Sequence, residues 1–242
     1  MRELFEKIRL YGLRRSLGYA VSETARVVWN QGVRHSYSQS GEDEAIDELL
    51  HHKRKGFYVD VGANHPSRFS NTKRFYLRGW HGINIEPNAV ALERFYAARP
   101  RDINLNVGVG PQEGQMTFYR FRPDTLSTFS SGEAQRYVSE GFPLEQEVQV
   151  PVLPLHAILE RHCGNEAVDF ISIDTEGFDM QVLRSNDWER FRPAIVCIET
   201  GALSLRGAAS GDREAIHAFL GGVDYELVND NGLNALYRTK RS

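Results

Sequence analysis

Four acids of this sequence follow directly on short apolar, β-rich runs. Glu86 follows Gly82-Ile83-Asn84-Ile85, Asp174 and Glu176 follow Phe170-Ile171-Ser172-Ile173, and Glu199 closes Ile195-Val196-Cys197-Ile198. In open α/β sheets, ligands bind just beyond the carboxyl ends of the strands. If the last two runs are neighbours, Asp174, Glu176 and Glu199 converge on one crevice. One of them can then act as a general base on a hydroxyl, an effect typically worth roughly 10²–10⁴-fold. Alternatively, Asp174 and Glu199 hold a divalent cation that lowers the pKa of the hydroxyl. An oxygen-only donor set suits Mg²⁺ or Ca²⁺ rather than zinc. Asp174 is the first choice of base and Glu199 the second. The purely structural alternative has Glu176 capping the next helix, Asp179 satisfying that helix's N-terminus, and Glu199 paired with an arginine.

Glu86 belongs to a second pattern. Phe57-Tyr58-Val59-Asp60-Val61 reads as a buried parallel strand, and Gly62-Ala63-Asn64-His65-Pro66 as the tight loop that ends it. A strand, a glycine loop, a helix and a second strand ending in an acid form the layout of a ribose-binding βαβ unit. A dinucleotide needs Gly-x-Gly-x-x-Gly so that its pyrophosphate can approach the backbone. Here Asn64 and Ser67 occupy the second and third glycine positions. S-adenosylmethionine has a ribose diol for Glu86 and no phosphate, so it suits this loop better. A structural strand-turn with an incidental acid remains the alternative.

Three segments in order, Tyr58-Val59-Asp60-Val61-Gly62-Ala63-Asn64, Gly79-Trp80-His81-Gly82-Ile83-Asn84-Ile85-Glu86-Pro87-Asn88 and Ile173-Asp174-Thr175-Glu176-Gly177-Phe178-Asp179, resemble the FkbM-type methyltransferase family. The resemblance runs from about Ser38 to Thr200. It implies a class I S-adenosylmethionine-dependent O-methyltransferase, in a family that mostly modifies sugars of glycans or natural products. It also implies cofactor contacts. These fall on the Gln-x-Gly-Glu-Asp element (Gln39 and Asp43), on Asp60, Gly62, Ala63 and Asn64, on Glu86 and Pro87, on Asp174 and Glu176, and at the third strand's end on Asn106 and Val107. Asn106 can offer donor and acceptor to the adenine edge, or simply make an Asn turn before Gly108. Leu126 to Phe129 match a family element near the acceptor, so Ser127, Thr128 and Phe129 are candidate substrate contacts. His65, Ser67 and Arg68 stand in the loop after the cofactor strand. Arg68 is a further substrate candidate, and His65 is either a general base, a hydroxyl-orienting group or a hydrogen-bonding partner of its own loop.

Positioning these residues requires a seven-stranded, mostly parallel sheet with helices on both faces and a C-terminal antiparallel hairpin. Strands alternate with helices along the chain. Ser70-Asn71-Thr72 reads as the cap of a helix through Leu77, with Lys73, Arg74 and Arg78 on its exposed side. Pro87 to Arg99 reads as the next helix, with Val90, Leu92, Phe95 and Tyr96 as core contacts, and Ile103 to Gly110 as the third strand and its end. Tyr225 to Arg238 reads as the closing hairpin around Asn231-Gly232. Residues 120–147 read as a variable cover over the substrate, with Tyr119, Phe129, Tyr137 and Phe142 available to meet a sugar. Residues 1–35 read as a basic helical extension before the domain of residues 36–242. That extension is a candidate for packing on the core, for a homodimer interface or for peripheral membrane contact.

Composition sets the outer bounds. The chain of 242 residues carries 29 Lys and Arg against 32 Asp and Glu, a net charge of −3. That balance gives no electrostatic pull towards nucleic acid. Two cysteines, with Cys197 in an apolar run, suggest neither a disulfide framework nor a zinc site. No apolar run approaches the ~20 residues needed to span a bilayer, and no signal peptide is visible, so a cytoplasmic location is expected. A nucleotide-dependent oxidoreductase is the competing enzyme reading, which the missing glycines oppose. A non-catalytic methyltransferase fold that binds a partner is the third reading, which the intact acids oppose.

Overall fold

The structure, a computed structural model, describes residue 32, residues 36–201 and residues 212–241. The N-terminal extension, with its expected roles in membrane contact and dimerisation, lies outside the described residues. Strand β1 (Phe57–Val61) is buried along its whole length, as a central parallel strand covered on both faces must be. β2 (His81–Ile85) and β7 (Phe170–Ile173) flank it in parallel. β3 (Ile103–Leu105) lies beyond β2, and β8 (Ile195–Glu199) beyond β7. The sheet order is β3-β2-β1-β7-β8-β10-β9, with β9 (Tyr225–Asp230) and β10 (Asn234–Thr239) forming the terminal hairpin. Only β10 runs antiparallel to its neighbours. This is the seven-stranded arrangement that the sequence implies.

Alternation along the strands feeds two apolar layers. Phe57, Val59 and Val61 join Ile83, Ile171, Val196 and Ile198 in one. Helices α5 (Leu155–His162), α6 (Asp179–Arg184) and α7 (Asp212–Gly222) pack there through Ile158, Leu183 and Ile216. Tyr58 and Phe170 face the other layer with Ile46, Phe75 and Trp80, covered by α1 (Glu42–Leu49) and α2 (Lys73–Arg78). Helices therefore lie on both faces.

Three local expectations are corrected. The third strand stops at Leu105 and does not continue to Gly110. There Asn106 donates Nδ2 to the carbonyls of Glu86 and Pro87, tying the end of β3 to that of β2. Gly108 and Val109 form β4, which joins β5 (Gly114–Phe121) and β6 (Leu144–Leu153) in a separate three-stranded sheet of order β4-β6-β5. The helix after Glu86 is α3 (Ala89–Ala98), capped by Asn88, whose side chain accepts from the Val90 amide. That start buries Leu92 and Phe95 but leaves Val90 and Tyr96 more than half exposed. On α2, Arg74 and Arg78 do not point freely to water: Arg74 pairs with Asp43 and Glu44, and Arg78 with Asp47, fastening α2 to α1.

Candidate active site

The acids meet because of strand register. Ile173 on β7 lies beside Ile198 on β8, so Asp174 and Glu199 emerge level with each other. Val61 lies beside Ile173, and the Asp174 amide donates to the Val61 carbonyl, which brings Gly62 under Asp174. Gly62 has φ +79°, and a Cβ on it would fall 1.8 Å from the Asp174 carbonyl oxygen. Only glycine closes the loop this tightly. On the other side, the Gly62 and Ala63 amides donate to Ile85, the residue before Glu86.

One cavity collects these groups. Asp60, Gly62, Ala63 and Asn64 line it, as do Glu86 and Pro87, and Asp174, Glu176 and Glu199 form another part of its wall. Gln39 and Arg68 reach it from preceding and following loops. Ser127 and Phe129 reach it from the segment after β5, together with Phe118 and Phe142. Glu86 is held by two backbone amides, Asn64 to Oε2 and Asn88 to Oε1, each at 2.7 Å. Its burial still pushes the carboxyl up to about 7, against those bonds. Asp60 accepts from Thr72 Oγ1 at 2.8 Å, and burial raises it to about 6.

Asp174, Glu176 and Glu199 each place a carboxylate oxygen within 4.8 Å of the others. Asp174 keeps solvent contact through the cavity while protein packs around its other sides. Burial first, and the nearby Asp179 charge second, raise it to about 7. Burial and then the Asp174 charge push both Glu176 and Glu199 well above the usual carboxyl range. Close carboxylates of like charge thus favour keeping protons in the cluster. Asp179 organises the turn that carries them. Its oxygens accept from the Thr175 amide and hydroxyl at 3.0 Å and from the Gly177 amide at 3.2 Å.

The cover grips this acidic turn. Helix α4 (Ser131–Ser139) sends Tyr137, whose hydroxyl donates to Glu176 Oε2 at 2.8 Å. Thr128 Oγ1 donates to the Glu176 carbonyl at 2.9 Å. Glu176 and Gly177 both adopt left-handed conformations, with φ +51° and +85°.

Several residues singled out from sequence stand elsewhere. Asp43 does not line the cavity. It is buried and accepts from the Ser36 and Ser38 hydroxyls and the Tyr37 amide, fixing the segment that carries Gln39. Asn106 is exposed and Val107 half-buried, both outside the cavity wall. Thr128 is buried behind the wall. His65 Nδ1 accepts from the Ser67 and Arg68 amides at 3.1 and 3.0 Å. That bonding puts its proton on Nε2 and leaves no basic nitrogen for a hydroxyl. Burial, with Arg68 and Arg94 nearby, lowers its pKa to about 4. His65 therefore shapes its loop, one of the three roles that sequence leaves open.

Sequence reasoning missed the contacts of Asn71, Thr72 and Ser172 with the site, and offered Tyr137 only as an aromatic for the sugar, whereas it is buried and donates to Glu176. The first two carry the ordinary signature of a helix cap, and that signature hides their contacts with the site. Thr72 makes no side-chain cap bond, because its hydroxyl goes to Asp60.

The family described as Methyltransferase FkbM domain matches residues 60–227. No curated protein matches the chain. Among solved structures, a TehB-like SAM-dependent methyltransferase from Corynebacterium glutamicum is similar at 13% identity and TM-score 0.44, covering 92% of this chain and 100% of its own. The C-terminal domain of precorrin-6Y C5,15-methyltransferase from Rhodobacter capsulatus is similar at 13% identity and TM-score 0.42, covering 83% and 88%. The Burkholderia thailandensis 1,6-didemethyltoxoflavin-N1-methyltransferase, solved with S-adenosylhomocysteine, is similar at 11% identity and TM-score 0.40, covering 92% and 89%.

Proposed function

Because the chain belongs to the methyltransferase FkbM domain family, we propose that it is an S-adenosylmethionine-dependent O-methyltransferase. Its acceptor is a hydroxyl of a sugar, in a glycan, a nucleotide-sugar or a glycosylated natural product. The observation that carries the reading is the single cavity in which the Gly62 loop, Glu86 and the Asp174–Glu199 pair all stand.

The residues present fit the cofactor. Gly62, Ala63 and Asn64 line the cavity and offer a ligand the backbone of the loop. Glu86 keeps free lone pairs beside its two amide bonds, enough to accept from a ribose diol. S-adenosylmethionine supplies an electrophilic methyl group whose departure leaves a neutral thioether. The remaining work is alignment and proton removal. Phe129, Phe118 and Phe142 offer aromatic faces, and Ser127 a polar group, to hold a sugar in line. Asp174, raised to about 7 and set beside Glu199 in the cavity wall, is placed to take the hydroxyl proton.

A second reading of the same acids follows from their spacing. Three carboxylate oxygens within 4.8 Å suit a hard cation such as Mg²⁺. Asp174 and Glu199, with Glu176, would then hold the cation and acidify the hydroxyl.

Titration calorimetry with S-adenosylhomocysteine, on wild type and Glu86→Ala, tests the cofactor. Wild type binds and the variant loses at least tenfold; a folded wild type that does not bind rejects the reading. Transfer of labelled methyl to nucleotide-sugars and glycans, with Mg²⁺ or with EDTA, then separates the direct base from the cation.

A further inference from the structure

Asn71 stands in the loop before α2, and its side chain bridges the sheet and the cavity. Nδ2 donates to Ser172 Oγ at 3.0 Å and approaches Cys197 Sγ at 3.6 Å. Ser172 lies directly beside Asp60 in the β1–β7 register. Both contacts of Asn71 come from Nδ2, so the nitrogen end of the amide lies against the sheet. Asn71 lines the cavity, and Oδ1 is the polar atom it has left to present there.

The neighbourhood of that oxygen is built from acceptors. Asp60 lies beside Ser172 in the strand register and is held in place by Thr72. The backbone of Asp174 packs on Gly62. Both carboxylates line the same cavity. A ligand group that satisfies an amide oxygen beside two carboxylates is a donor and a cation. S-adenosylmethionine carries one such group that can donate, the α-ammonium of its methionine end; the sulfonium is cationic but has no proton to give.

We infer that Asn71 Oδ1 accepts a hydrogen bond from the cofactor's α-ammonium, with the amide oriented for this by the contacts of its Nδ2 with Ser172 and Cys197. The inference rests on the cofactor reading above and adds to it a residue that decides for an amino-acid end over a plain nucleoside. It also explains why three polar residues in succession before α2 make so little use of the helix. Ser70 serves Arg99, Asn71 the cavity and Thr72 Asp60.

The test pairs a change in the protein with a change in the ligand. Binding is measured by calorimetry, with competition for weak ligands. The two ligands are S-adenosylhomocysteine and its deaminated analogue 5′-S-(3-carboxypropyl)-5′-thioadenosine, each against wild type and Asn71→Ala. Asn71→Ser, too short to reach the ammonium, serves if the alanine variant folds poorly. A hydrogen bond to a charged group predicts a loss of about 10–100-fold for S-adenosylhomocysteine. The deaminated analogue binds variant and wild type within twofold. Equal losses for both ligands would mean that Asn71 only supports the loop, and an unchanged affinity for S-adenosylhomocysteine would also overturn the inference. A wild type that binds neither ligand is a different result, because it removes the cofactor reading itself.

Discussion

Gly62 passes so close beneath Asp174 that a Cβ on it would lie 1.8 Å from the Asp174 carbonyl oxygen. The β1 loop and the β7 acid are thus one unit, and glycine is what lets them touch. Gly62→Ala adds this clash to the strain of a left-handed alanine, together about 2–5 kcal/mol. Thermal unfolding falls accordingly and S-adenosylhomocysteine binding is lost. Gly79 is the control: its φ is +102°, but a Cβ there would have nothing within 4 Å of it. Gly79→Ala bears only the backbone strain, about 1–3 kcal/mol, and keeps ligand affinity within twofold. Equal effects of the two variants on binding would deny Gly62 its special place.

Stability responds to pH in an unusual direction. Packing around the cavity raises Asp60 to about 6 and Glu86 and Asp174 to about 7, and pushes Glu176 and Glu199 well above the usual carboxyl range. Unfolded carboxyls ionise near ~4. From there up to neutrality the folded chain binds protons that the unfolded chain has released, so its stability declines as pH rises through the folded values. His65, lowered to about 4, acts oppositely, but its contribution is complete above the free imidazole value of ~6.5. Thermal midpoints in EDTA buffer should therefore fall from pH 6.5 to 8.0. A midpoint that climbs over this interval contradicts the raised carboxyls of the cavity. Glu199→Gln, which removes one of them, should flatten the slope.

Much of the site was legible because strand ends are legible. Apolar runs closed by Gly62, Glu86, Asp174 and Glu199 have few alternative meanings once the strands are ordered, and the sheet places all four in one cavity. What sequence obscured were contacts between distant loops. Asn71 and Thr72 look like helix caps from their neighbours alone; their partners Ser172 and Asp60 lie on other strands. Asn106 illustrates the reverse case. Of its two readings, a turn or a cofactor contact, neither describes its bonds, which tie the end of β3 to the Glu86 and Pro87 carbonyls. Tyr137 reads only as one of several aromatics available to a sugar, because nothing around it specifies that α4 will fold back onto Glu176.

That last contact gives a direct prediction. Tyr137 is 2% exposed, packs edge-on to Phe121 and Phe142, and donates to Glu176. Tyr137→Phe preserves the packing and removes the donor, leaving a buried carboxyl oxygen short of a partner. The expected cost is about 1–3 kcal/mol in urea unfolding. The cofactor groups on β1 and β2 are untouched, so S-adenosylhomocysteine affinity stays within twofold. A large loss of affinity with no loss of stability would mean that Tyr137 acts on the cofactor rather than on the acidic turn.

The back of the cofactor loop depends on a charge that never meets water. Arg99 and Asp102 are 0% exposed in their side chains and lie 3.6 Å apart. Arg99 also donates twice to the Pro66 carbonyl, at 3.1 and 2.8 Å, and to the Tyr58 hydroxyl at 2.9 Å. Asp102 accepts from Tyr58 and Asn84. Arg99→Met keeps the bulk but strands Asp102 and frees the loop at Pro66, which should cost about 3–5 kcal/mol. Adding Asp102→Asn removes the orphaned charge and should restore stability in part, while the loop stays untethered. Urea unfolding reads the first effect and S-adenosylhomocysteine titration the second. If the double variant recovers stability and full affinity together, Arg99 serves only to neutralise Asp102, and the tether to Pro66 has no part in binding.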